Sequence, residues 1–296
     1  MSNFPAISTL SPYLLLFAAI AMVWLPVPVQ TGALSKLTPA VGMALIAMAA
    51  ALALGLITPV AALVLLVLGA LLFASAKSSL KFYLRLACGV IALILALALA
   101  MHKVAGFHNP LLLDKVRFSN DAQAFSLYAN FDKGMVGFLL LTLFCQRAAN
   151  LREFLADGKR IAFAAALNIV VLIALGLGLQ FFRLDPKLPE ATLLFLSVNL
   201  FLTCVAEEAF FRGFIQEALY RSSSKPLAAY LALLISALLF GVAHLGGGPL
   251  YAGLATVAGL GYAYVYHLTR RIEWAILTHF GFNLCHFVFF TYPKLV

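Results

Sequence analysis

Charge is what this sequence has least of: 10% of its 296 residues are Asp, Glu, Lys or Arg, against 64% hydrophobic residues and a mean hydropathy of +1.03. That balance lies far outside the range of water-soluble domains and excludes a soluble globule. Cysteine is scarce as well. Cys88, Cys145, Cys204 and Cys285 all fall inside apolar stretches with no CxxC and no Cys/His spacing, so neither a disulfide framework nor a structural metal module is implied. The first eleven residues hold no Lys or Arg, so the opening apolar run lacks the basic start of a cleavable signal peptide and reads as a retained span. Basic residues outnumber acidic ones, 20 to 11, but they sit in short gaps between apolar runs rather than in a polar patch. This is the pattern of orientation charge at an anionic membrane surface, and it excludes nucleic acid as a partner.

What is present is a succession of apolar runs. A spanning helix needs about 20 apolar residues, and ten stretches approach that: 12–29, 40–57, 59–76, 84–102, 134–147, 161–182, 191–211, 227–245, 249–268 and 274–292. The expected fold is all-α, a polytopic membrane bundle of about 8–10 transmembrane helices. Thr58-Pro59 makes the second and third runs a tight hairpin or one kinked helix. Alternating the loops between two sides places twelve Lys and Arg on one, Lys36, Lys159 and Arg160 among them, and seven on the other, with Arg212 set aside. The richer side is expected to be cytoplasmic. The longest polar connection, 102–133, is expected to be an ordered surface loop or a lid over a site.

Ionisable groups are costly in a membrane, at least about 2.5 to 3.5 kcal/mol each at the bilayer centre, yet the last hundred residues carry several. The seventh run ends Glu207-Glu208-Ala209-Phe210-Phe211-Arg212. On an α-helix Glu208 and Arg212 share a face and suit an ion pair, whereas Glu207 is turned away by about 100° and is left to react. A carboxylate in a dry cavity suits a general base acting on water; the plainer alternative pairs both acids with Arg212. Phe240 and His244 stand four apart at the end of the eighth run, and His279 and Asn283 four apart in the tenth. The latter two could bind an oxyanion or orient a water, or simply bond helix to helix. Asn199 and Thr203 fall on the turns before Glu207, and His286 lies two turns beyond His279. Gly246-Gly247-Gly248-Pro249 reads as a turn between helices or a movable rim.

Glu207-Glu208-x-x-x-Arg212, Phe240-x-x-x-His244 and His279-x-x-x-Asn283, in that order on three late helices, resemble the CPBP intramembrane protease family of type II CAAX prenyl endopeptidases and bacteriocin-processing and immunity proteins. The likeness covers roughly residues 190 to 292, with no departure at these seven positions. It implies a glutamic-type peptide hydrolase with no required metal. Glu207 and His244 would activate a water, His279 and Asn283 would stabilise the tetrahedral oxyanion, and Glu208, Arg212 and Phe240 would hold the geometry. Residues 151–296 are then expected to be the catalytic core and 1–150 a set of transmembrane helices of unassigned role. The expected substrate is a protein or peptide, cut at a C-terminal tail or leader, in a bacterial cytoplasmic membrane. Two alternatives stand beside this. One is a zinc protease using Glu207, His244 and His279 as ligands, although no HExxH occurs; the other is a non-catalytic membrane scaffold or immunity protein.

Overall fold

The structure, a computed structural model, describes residues 7–25, 38–156, 158–222 and 225–296, excluding the side chains of Ile7, Ser8, Lys159 and Arg160. Lys36 and the end of the first apolar run, 26–29, lie outside the described residues, as do the side chains of Lys159 and Arg160. Helix accounts for 72% of the structure, as the periodicity implies.

The elements are α1 (Ile7–Met22), α2 (Pro39–Ala53), α3 (Pro59–Ala76), α4 (Phe82–Ala100), β1 (Leu111–Val116), β2 (Phe125–Tyr128), α5 (Phe131–Leu143), α6 (Leu151–Ala156), α7 (Gly158–Gly178), α8 (Thr192–Arg221), α9 (Pro226–Ala243), α10 (Pro249–Thr269) and α11 (Ile272–Phe289). Threonine-proline pairs start two of them. The hydroxyl oxygens of Thr38 and Thr58 accept from the amides of Val41 (3.3 Å) and Ala61 (3.2 Å), and Pro39 and Pro59 occupy the first turn, where no amide hydrogen is needed. The second and third runs are therefore separate helices, with Gly55 at φ +67° turning the chain between them.

Among the described residues five helices are long and apolar enough to cross a membrane: α3, α4, residues 161–178 of α7, α8 and α9. The other apolar runs form helices that are shorter, as in α1, α2 and α5, rich in glycine and tyrosine, as in α10, or interrupted by polar residues, as in α11. Burial sorts them further. Only 17% of the most apolar window of α4 is buried, against 56% for α8, so α8 is an interior helix and α4 a lipid-facing one.

The chain divides into two compact units, 1–113 with 127–144 and 201–206, and 114–126 with 145–200 and 207–296. In the first, α5 lies close to α8 because Gly137 has no side chain: a Cβ there would stand 2.7 Å from the Ala206 Cα. Phe17 stacks on Phe201 at 4.7 Å, and the buried Asp132 receives His102 Nδ1 (2.7 Å) and Asn109 Nδ2 (3.0 Å). The long polar connection is thus more than a loop: it carries the two-stranded sheet β1–β2 and is pinned at its end by Asp132.

In the second unit the hairpin tip, the segment 181–187 and residues 290–296 pair as isolated bridges, Ala122 with Leu295 and Leu184 with Phe290. Arg183–Asp121 and Ser119–Asp185 contacts hold this edge. Beneath it Phe195 and Phe287 stack at 3.9 Å, with Phe125 and Tyr292 against them.

Candidate active site

α8 is not a uniform α-helix. Asn199–Cys204 and Ala209–Gln216 are π-helical, with a single α turn, Val205–Glu208, between them. Such widened turns recur at functional sites because they aim side chains that a regular helix would spread apart. Glu208 and Arg212, both 0% exposed, nevertheless pair as their spacing predicts, Nη1 to Oε1 at 3.1 Å. The same Oε1 receives Nδ1 of His279 from α11 at 2.8 Å. Arg212 also donates through Nη2 to the Gly259 carbonyl (2.9 Å), and its guanidinium lies over the rings of Phe240 (4.7 Å) and Tyr262 (5.4 Å). Two charges withdrawn from water need this many partners, since attraction alone does not repay their desolvation.

The cluster extends along α8 at four-residue intervals. Gln216 Nε2 donates to the Ala263 carbonyl (3.0 Å), and the Tyr220 hydroxyl meets His267 Nδ1 (2.5 Å). With Arg212 on Gly259, three successive turns of α8 are fastened to three successive turns of α10. Glu217, one residue on, receives Tyr266 (3.0 Å), Arg221 (2.9 Å) and Arg270 (2.9 Å). Gln216, Glu217 and Tyr262 were not picked out from the sequence. The signal was there as polar residues 208, 212, 216 and 220 within an apolar run.

α9 ends at His244. Its Nδ1 lies 2.7 Å from the Phe240 carbonyl, and the two rings are 4.5 Å apart. A cleft opens here, and His244 and Phe240 line it with His279, Asn283 and His286 of α11. Its remaining wall is apolar and aromatic, chiefly Leu172, Phe181, Phe182, Tyr251, Leu254, Tyr262 and Phe282. Asn283 donates to Asn199 Oδ1 at 3.1 Å, which brings in the residue two turns before Glu207. His286 Nε2 faces the Thr291 carbonyl at 3.2 Å.

Of the seven residues singled out, Phe240, His244, His279 and Asn283 share the cleft, and Glu208 and Arg212 stand behind His279. Glu207, next to Glu208 on α8, is not among the residues that line the cleft. Among the described residues no three His, Cys, Asp or Glu side chains are arranged to hold a metal ion. All four cysteines carry free thiols.

The fold and this cleft define a polytopic helical membrane protein with acid, imidazole and amide groups buried in its late helices. Residues 189–285 match the family model of the type II CAAX prenyl endopeptidases, Rce1-like, a span that takes in all seven residues. No curated protein and no solved structure matches the chain. The match indicates a CAAX-type protease domain at residues 189–285, and the apolar helices make the chain that carries it an integral membrane protein.

Proposed function

We propose that the chain is an intramembrane endopeptidase that uses Glu207 and His244 to activate a water against a peptide carbonyl. The observation that carries this reading is the cleft in which side chains of α9 and α11, His244, His279 and Asn283, face one space beside α8. With Nδ1 donating to the Phe240 carbonyl, His244 keeps Nε2 as its accepting nitrogen, the arrangement a general base requires. Glu207 shares and orients the water, His244 Nε2 takes its proton as the hydroxide adds to the carbonyl carbon, and the imidazolium returns that proton to the leaving amine as the C–N bond breaks.

The oxyanion then falls to His279 and Asn283. His279 donates its Nδ1–H to Glu208, and Nε2 serves as the oxyanion donor when the ring carries both protons, a charge that the Glu208 carboxylate faces. The Asn283 amide faces the same cleft, four residues along α11 from His279. Glu208, Arg212 and Phe240 act by holding His279 and His244 in place. No metal takes part in this scheme.

The substrate is a protein or peptide, cut at a C-terminal tail, lipidated or membrane-anchored, or at a leader, with the enzyme in a bacterial cytoplasmic membrane. Residues 151–296 form the catalytic core, and 1–150 add further membrane helices. The test compares the termini of membrane proteins in cells carrying the wild-type chain and Glu207→Gln. New termini that depend on Glu207 are expected; an identical set in both would leave a non-catalytic scaffold as the better reading.

A further inference from the structure

The proposed mechanism gives no task to Tyr251, although it forms part of the cleft wall. Its ring stands edge-on to the His244 imidazole, centroids 5.3 Å apart at 76°, and lies parallel to Phe181 on its other flank at 5.9 Å and 3°. The Gly-rich turn after His244 makes room for it. A Cβ on Gly247 would collide with the Tyr251 ring, its Cε1 at 2.9 Å and Cγ at 3.0 Å, so the ring sits where any side chain at 247 would go. Lys294 donates to the Gly247 carbonyl at 3.0 Å and fixes that turn from outside.

His244 has few other restraints. It follows the last residue of α9, at φ −98° and ψ 4°, where the helix no longer surrounds it. One ring nitrogen is held by the Phe240 carbonyl and one side of the ring by the Phe240 ring. That pair alone does not stop the imidazole from rotating about χ2, which would carry Nδ1 off the Phe240 carbonyl, bring Cδ2 in its place and leave the Nδ1–H tautomer without its acceptor. An edge-on aromatic ring does so, because it fills the space through which the imidazole would turn.

We infer that Tyr251, braced by Phe181 and accommodated by Gly247, is a positioning residue that locks His244 in its Nδ1–H form with Nε2 presented to the cleft. The inference rests on reading His244 as the base. It assigns the effect to the aromatic ring rather than the hydroxyl, and it explains why the turn after His244 requires glycine at 247.

Nitrogen-15 NMR of imidazole-labelled protein in lipid nanodiscs tests this, because the two neutral tautomers differ in their nitrogen shifts and His244→Gln identifies the His244 signal. Wild type and Tyr251→Phe are expected to hold one Nδ1–H tautomer. Tyr251→Leu and Gly247→Ala are expected to give a mixture, and cleavage of a terminus that depends on Glu207 slows in both on the order of 10- to 100-fold in kcat. Tyr251→Phe keeps kcat within about twofold, since the ring survives. A single unchanged tautomer in Tyr251→Leu, with an unaltered unfolding midpoint, overturns the inference. Cleavage that persists in His244→Gln removes the base reading instead, and the NMR result then stands or falls by itself.

Discussion

At the scale of single residues, one carboxylate oxygen organises the site. Glu208 Oε1 accepts from both Arg212 and His279, and neither Glu208 nor Arg212 touches solvent. Removing the cation strands a buried anion, so Arg212→Ala is expected to cost about 3–5 kcal/mol, read as a large fall in the unfolding midpoint in detergent. Glu207→Gln, one position from Glu208, is expected to leave that midpoint within error and abolish cleavage. Equal destabilisation by the two changes would assign both acids to structure. The Glu208–Arg212 pair was legible in the sequence because four residues is one helical turn. The turn of His279 toward Glu208 was not, because it depends on how far α11 is displaced along α8, which no local spacing encodes.

At the scale of elements, glycine and alanine decide how closely α9 and α10 approach. A Cβ at Gly241 would run into Thr256 Oγ1 and stand 2.9 Å from the Ala252 carbonyl oxygen, while one at Gly253 would meet nothing within 4 Å. Gly241→Val is therefore expected to destabilise by about 1–3 kcal/mol through overpacking and to lower cleavage with it, since α9 carries His244. Gly253→Ala is the control and should be neutral or stabilising in the same unfolding assay. The α8–α10 ladder was half visible as a four-residue polar repeat; the π turns beside it were not, because their cause lies in what α8 packs against. The β1–β2 hairpin was missed for a similar reason, its strands being six and four residues long within a mixed polar stretch.

The paired edge outside the membrane helices gives a pH signature. The Ser119 hydroxyl, and after it Lys187 and Arg183, hold the Asp185 carboxyl below its ordinary value despite some burial. A carboxylate lowered in the folded state stabilises above its unfolded value of about 3.9, and that contribution is lost as pH falls through the lower folded value. Protection of the amides of Asp185 and Lys187, bonded to Phe289 and Val288, is expected to weaken below pH about 4 in hydrogen exchange. Asp185→Asn should remove that acid-side dependence; a dependence that survives the change would place its origin elsewhere.

At the scale of the whole molecule, membrane character and helical class follow from composition alone, because a chain this poor in charge can satisfy its backbone in lipid only within helices or a closed barrel. The late-helix site was legible because each ionisable residue in an apolar run needs a reason to be there. The first unit was not legible in the same way: its helices carry few such residues, and Asp132 with His102 at its end lies outside the matched segment. Which residues share the cleft became clear only once α9, α10 and α11 were placed together.

The central claim is that Glu207 and His244 activate water without a metal. Its most direct test is the rate of cleavage of a Glu207-dependent terminus by purified, chelator-washed protein, for wild type, Glu207→Gln and His244→Gln, with and without added zinc. The account predicts full activity for washed wild type and loss of about 10²-fold or more for each variant, in line with general-base catalysis, at unchanged unfolding midpoints. Activity lost on washing and restored by zinc, or retained by either variant, would contradict it.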